Sequence, residues 1–187
     1  MKNWIRFIAG LLAMRPARLI ATDKPQTPDG KPLLDVVVRR LNDQQAVNLA
    51  QDYRDKVLLI VNTASQCAFT TQYEELEQLY ARYRARGLVV LGFPSNDFAN
   101  QEPGDEADIQ QFCRLTYGVK FPMFAKTRVR KGDADPLYQR LGEAAGEFPQ
   151  WNFHKYLVDR QGRLVASFAS GTRPGNKKLQ DLIESLL

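Results

Sequence analysis

Cysteine and histidine are scarce in this chain: Cys67, Cys113 and His154 are the whole supply among 187 residues. Two cysteines exclude a disulfide-dense scaffold. Together with one histidine they also fall short of a structural zinc site, which takes four ligands from these residue types. No stretch reaches the ~20 consecutive apolar residues of a membrane-spanning helix. The phosphate-cradling pattern G-x-x-x-x-G-K-[ST] is missing, as is a G-x-G-x-x-G after a strand, so nucleotide binding has no support. A C-a-a-X ending is lacking, and Lys2 stands where N-myristoylation needs glycine, so those lipid-anchoring routes are not expected.

What is present is ordinary for one folded domain. Hydrophobic residues make up 44% and charged residues 25%, which indicates neither disorder nor a membrane-embedded fold. The net charge of +5 suggests nucleic acid until its location is examined. Residues 1–40 hold eight Lys/Arg against three Asp/Glu, and residues 41–187 hold 18 of each sign. A nucleic-acid binder carries its basic stripe on the folded domain. Here the excess sits in the leading segment, and no nucleic-acid partner is expected.

Residues 1–32 read as an appendage. Trp4, Phe7, Ile8, Leu11, Leu12 and Met14 share one side of a helical projection, with Lys2 and Arg6 opposite. Pro16 interrupts the pattern, and Pro25, Pro28, Gly30 and Pro32 mark a linker. Three readings stay open for this segment: an export signal cleaved near Ala21, a basic amphipathic helix on a membrane surface, or a frayed helix. The location is accordingly cytoplasmic by default, with export through residues 1–21 as the alternative.

From residue 33 the pattern is regular. Leu34–Arg40 and Ala46–Leu49 form an expected strand pair. Val57–Asn62 and Leu88–Pro94 are apolar runs of buried-strand type. Between them a helix is expected over Thr71–Arg86, closed by Gly87. A helix over Asp105–Thr116 begins with acids, as the macrodipole favours. A short strand at Met123–Thr127, a helix at Pro136–Ala145, a strand pair at Tyr156–Asp159 and Leu164–Phe168, and a helix at Lys177–Leu187 follow. This order predicts an α/β domain over residues 33–187. It is a thioredoxin-like fold, with a mixed central sheet, helices on both faces and an N-terminal strand pair.

Cys67 lies five residues past a buried strand and four before an amphipathic helix. Open α/β sheets place their ligand sites at such strand ends. Free backbone N–H groups and the positive end of the helix dipole favour a thiolate there, and the thiolate is the nucleophile. The local string is Cys67-Ala68-Phe69-Thr70, in which Thr70 takes the second-cysteine place of a C-x-x-C motif and is expected to cap the helix. Alone the motif is weak, and Cys67 is open to two readings, a reactive thiol or a small buried hydrophobe.

The surrounding strings narrow the choice. Val61-Asn62-Thr63-Ala64-Ser65-Gln66-Cys67-Ala68-Phe69-Thr70, Gly92-Phe93-Pro94-Ser95-Asn96-Asp97-Phe98, Asn100-Gln101-Glu102-Pro103-Gly104, Phe112-Cys113, Tyr117-Gly118-Val119-Lys120-Phe121-Pro122 and Trp151-Asn152-Phe153 occur in this order. They resemble the active-site and flanking segments of the glutathione peroxidase family, from about residue 33 to the end of the chain. The resemblance implies a peroxidatic Cys67 with Gln101, Trp151 and Asn152 around it. Neutral amide and indole donors would stabilise the charged sulfur without protonating it. It further implies reduction of hydrogen peroxide and organic or lipid hydroperoxides through a sulfenic acid, recycled by an external thiol, glutathione or thioredoxin, with no bound cofactor.

Ser95 stands where many family members have a further cysteine. Cys113 is open to two readings, a resolving cysteine or a buried structural one. His154 is read as a bystander to the Trp-Asn-Phe string, and the short chain suggests a monomer or weak dimer. The rival reading from another class is a peroxide sensor or redox relay that passes oxidation from Cys67 to a partner protein.

Overall fold

A computed structural model describes residues 18–20, 27 and 30–187. The helical projection read in residues 1–14 and most of the linker lie outside the described residues. Arg18–Leu19 is a two-residue strand, β1. It is followed by β2 (Val37–Arg39), β3 (Ala46–Asn48), the short helix α1 (Leu49–Asp52) and β4 (Val57–Thr63). Next come α2 (Gln72–Tyr83), a 3₁₀ turn at Arg84–Arg86, β5 (Leu88–Pro94) and α3 (Glu106–Tyr117). The chain closes with α4 (Pro136–Ala145), β6 (Lys155–Val158), β7 (Leu164–Phe168) and α5 (Lys177–Leu186).

The main sheet has the order β1-β7-β6-β4-β5. Strands β4 and β5 run parallel, joined through α2, and the other neighbours are antiparallel. Strand β4 is interior, flanked by β6 and β5, and is buried along its whole length. Its alternate residues divide between two cores, as the two-residue strand period requires. Leu58 and Ile60 pack with Leu137, Tyr138 and Leu141 of α4. Leu59 and Val61 pack with Tyr73, Leu76, Ile109, Leu179 and Ile183 of α2, α3 and α5. Helices therefore cover both faces, which is why β4 and β5 read as continuous apolar runs.

Three local features differ from the sequence expectation. The expected strand at Met123–Thr127 is reduced to two bridges, Met123 to Gly92 and Phe124 to Arg40. This segment still donates from Phe124 N–H to Gly92 C=O at 2.9 Å and from Ala125 N–H to Arg39 C=O at 2.8 Å. It thus stitches the β2–β3 pair to the β5 edge, alternating partners instead of forming a ladder with either. The 3₁₀ turn after α2 tightens the last residues of the expected helix, and Gly87 ends it at φ 107°. The return strand expected over Ala46–Leu49 ends at Asn48, whose Oδ1 accepts from the Ala50 and Gln51 N–H groups and starts the helical turn α1 at Leu49. Within the segment read as an appendage, Arg18–Leu19 pairs with Ser167 and Ala166 of β7.

Candidate functional site at the end of the central strand

Beyond Thr63 the chain leaves β4 and folds into overlapping turns before α2 begins. The Thr70 hydroxyl organises this loop: it accepts from Cys67 N–H at 2.9 Å and donates to Ala64 C=O at 2.9 Å. This corrects the expected helix-capping role. The N-cap is Thr71, without a side-chain capping bond, and the Thr70 oxygen is spent on the loop. Phe69 N–H reaches back to Cys67 Sγ at 3.4 Å. Cys67 itself is half-buried and free of any disulfide.

Gln101 reaches this loop from the segment after β5. Two residues before it, Ala99 and Asn100 hold φ 53° and 52°, the left-handed region that asparagine tolerates better than most residues. Asn96 fastens the loop by accepting from Glu102 N–H at 2.9 Å. Gln101 C=O then accepts from Gln66 N–H at 3.0 Å, one residue before Cys67. Trp151 and Asn152 come from the turn before β6. The Trp151 ring lies 5.7 Å from that of Phe98, and Asn152 is fully buried, its Nδ2 donating to Gln101 Oε1 at 2.9 Å.

Three segments far apart in sequence thus meet around the Cys67 loop, the Gln101 segment through Gln66 and Asn152. Burial pushes the Cys67 thiol above its ordinary range, while the Phe69 N–H, the Asn152 amide and the Trp151 indole pull it down. Burial wins in the resting state. The groups that favour thiolate are visible in the sequence, whereas desolvation, which acts in the opposite direction, arises only on folding. All the donors are uncharged, so they stabilise negative charge on sulfur without offering an acidic proton at neutral pH.

Cys113 has different surroundings. It sits on the buried face of α3 with 3% exposure. Its thiol is pushed up to about 11, mainly by burial, with the neighbouring Tyr73 side chain opposing and the Glu102 charge adding. A groove of about 440 Å³ along residues 40–42 and 119–123 is lined in part by Cys113, Arg114 and Lys120. Ser95 is fully buried, its N–H donating to Thr63 C=O at 2.9 Å.

His154 and Lys155 follow the Trp-Asn-Phe string directly. His154 Nε2 lies 2.8 Å from Ser167 Oγ, which donates to Glu147 Oε1 at 2.5 Å, and burial depresses the imidazole to about 3. It is a neutral structural group. Lys155 is fully buried, yet its ammonium donates to Gln72 Oε1 at 2.5 Å and to the Thr172 and Ser170 carbonyls at 2.6 and 3.3 Å. Nothing in its β-strand pattern signals that role. Among the described residues, no cluster of three or more His, Cys, Asp or Glu is arranged to hold a metal, and no helix is long and apolar enough to cross a membrane.

Comparison with known proteins shows what the chain is similar to. The sequence model of one family, described as glutathione peroxidase, matches residues 33–142. A glutathione peroxidase homolog, BsaA, from Halalkalibacterium halodurans is 52% identical over 140 residues, covering 73% of this chain and 88% of that protein. A hydroperoxy fatty acid reductase from Synechocystis is 48% identical over 134 residues, covering 66% of this chain and 79% of that protein. A thioredoxin-family thiol:disulfide interchange protein from Chlorobium tepidum superposes with TM-score 0.65 at 12% identity, covering 89% of this chain and 99% of that one. That likeness shows the fold, which is thioredoxin-like.

Proposed function

The chain belongs to the glutathione peroxidase family and is a thiol peroxidase, and from that premise we propose that Cys67 is its peroxidatic nucleophile, served by Gln101, Trp151 and Asn152. The observation that carries this reading is that the neutral groups beside the Cys67 sulfur, the Phe69 N–H at 3.4 Å and the Asn152 and Trp151 side chains, all favour its charged form, with Gln101 tied to Asn152. The thiolate attacks one peroxide oxygen; a sulfur–oxygen bond forms as the oxygen–oxygen bond breaks. The displaced oxygen takes up a proton and leaves as water or an alcohol, and Cys67 becomes a sulfenic acid. Charge moves from sulfur to the leaving oxygen during this step. Donors already fixed around both atoms stabilise that charge without reorganising, which is the usual source of catalysis of this kind. With its Oε1 taken by Asn152, Gln101 offers its NH₂ group to a peroxide oxygen.

The substrates are hydrogen peroxide and organic hydroperoxides, including lipid hydroperoxides, and an external thiol returns Cys67 to its starting state. Glutathione would do so directly. Thioredoxin would act on a Cys67–Cys113 disulfide, and this route requires α3 to open, because the Cys113 thiol is buried and held protonated.

The test is NADPH-coupled turnover of cumene hydroperoxide by wild type, Cys67→Ser and Cys113→Ser, each with a glutathione/glutathione reductase system and a thioredoxin/thioredoxin reductase system. Turnover lost in Cys67→Ser with both systems supports the reading, and full activity in that variant overturns it. Loss in Cys113→Ser with thioredoxin alone assigns Cys113 as the resolving cysteine. A single oxidation of Cys67 without turnover in either system would point to a relay.

A further inference from the structure

Asn62 is the penultimate residue of β4 and is fully buried. Its side-chain amide and its main-chain carbonyl engage one turn. The side-chain Nδ2 donates to Trp151 C=O at 3.1 Å, and Oδ1 accepts from His154 N–H at 3.0 Å. The main-chain carbonyl of Asn62 accepts from Phe153 N–H at 2.7 Å. Asn152 lies between the residues so pinned.

Phe153, next in the turn, holds φ 64°, a left-handed conformation that a phenylalanine adopts only where its surroundings impose it. Two neighbours impose it. Asn62 supplies the three hydrogen bonds, and Tyr73 receives the buried Phe153 ring edge-on at 5.3 Å.

The residue type matters at this position. One side chain must donate to a carbonyl and accept from an N–H, both buried, and an amide does both. An aliphatic residue would suit the strand but leave both groups unpaired, and a carboxylate would oppose the Trp151 carbonyl. Cys67 follows five residues further on, in the loop that leaves this strand. We propose that Asn62 is a positioning residue for peroxide reduction: it docks the Trp151–His154 turn onto the strand that leads to Cys67, and so sets the indole and amide donors on the sulfur. This rests on the reading of Cys67, Trp151 and Asn152 given above.

The experiment measures oxidation of reduced protein by hydrogen peroxide in stopped flow, together with the pH profile of iodoacetamide alkylation at Cys67 and thermal unfolding. Wild type, Asn62→Ala, Asn62→Asp and Cys67→Ser are compared at a temperature where each is folded. Asn62→Ala should slow oxidation by roughly 10- to 100-fold, the scale of an ångström-level misplacement, and move the alkylation profile to higher pH. A lowered melting temperature with oxidation and alkylation both within twofold of wild type would show a purely structural role and overturn the proposal. If Asn62→Ala does not fold, the near-isosteric Asn62→Asp carries the same expectation and the same refutation. Retained peroxide reactivity in Cys67→Ser would overturn the Cys67 reading and this inference with it. An inert Cys67→Ser beside wild-type behaviour in the Asn62 variants would overturn this inference alone.

Discussion

The two cysteines lie in regions built on opposite principles. Cys67 stands in a loop where polar groups from three chain segments converge, half-exposed and with uncharged donors at its sulfur. Cys113 stands on a helix face packed into the apolar core, with the Tyr73 hydroxyl beside it and the Glu102 carboxylate raising its thiol further. Desolvation raises both thiols, so burial alone does not distinguish them. The difference lies in what is available to receive the charge once a proton leaves, and in whether a reagent can reach the sulfur.

That contrast can be broken most directly by alkylation. In the folded protein at pH 8, iodoacetamide should modify Cys67 faster than Cys113 by on the order of 10²- to 10³-fold, through access and thiolate fraction together. Mass spectrometry of the labelled peptides gives the ratio, and unfolding the protein should erase it. Equal rates in the folded state would show that α3 opens freely.

Removing the donors should make Cys67 resemble Cys113. Trp151→Phe and Asn152→Ala each remove a side chain that favours the charged form of Cys67, and second-order oxidation rates should fall by roughly 10²-fold, as when one donor to a developing charge is removed. The alkylation midpoint of Cys67 should rise in both variants, since the lost donors favoured the charged form. Oxidation by wild type should quicken with rising pH until the thiol is ionised. An unchanged midpoint in both variants would separate the donors from the thiolate.

A subtler comparison concerns the floor beneath the Trp151–Asn152 turn. His154 is held neutral, its folded value of about 3 lying below the ordinary 6.5. A lowered folded value means that the unfolded chain binds the proton more readily. Stability is therefore full above about pH 6.5 and declines as the pH falls from there towards 3. The loss should reach a few kcal/mol across that window, an order-of-magnitude figure from linkage. His154→Gln should flatten the acid limb of a pH series of urea melts, and an unaltered limb would assign it to other groups.

The smallest effect concerns the leading segment. Deleting residues 1–17 spares β1 and should change peroxidase activity by less than about twofold. Deletion through residue 24 removes the pairing of Arg18–Leu19 with β7 as well, and should lower the melting temperature slightly. Loss of activity in the shorter deletion, with the fold intact, would show that this segment takes part in the reaction.

Much of the architecture was legible because its signals are local. Apolar runs at β4 and β5, three- and four-residue spacing in α2, the acids opening α3 and the proline opening α4 each reflect a preference that a short segment expresses alone. Where the sequence misled, a distant partner decided. Met123–Phe124 forms bridges instead of a strand because β2 and β5 share it, and the Thr70 hydroxyl serves Ala64 and Cys67 instead of a helix end. The burial of Lys155 depends on the Gln72 amide and two carbonyls that no periodicity in β6 announces.

By itself the sequence determined the domain class and the order of the elements, since residue type and spacing carry that information, while Gln101, Trp151 and Asn152 are expected near Cys67 only through the family resemblance. Tertiary structure alone decided the balance of forces on the Cys67 thiol, the burial of Cys113 behind Tyr73 and the clamp that Asn62 closes on the Trp151–His154 turn. Desolvation and hydrogen bonding depend on atoms brought within a few ångströms by folding, and those neighbours are as many as 92 positions apart along the chain.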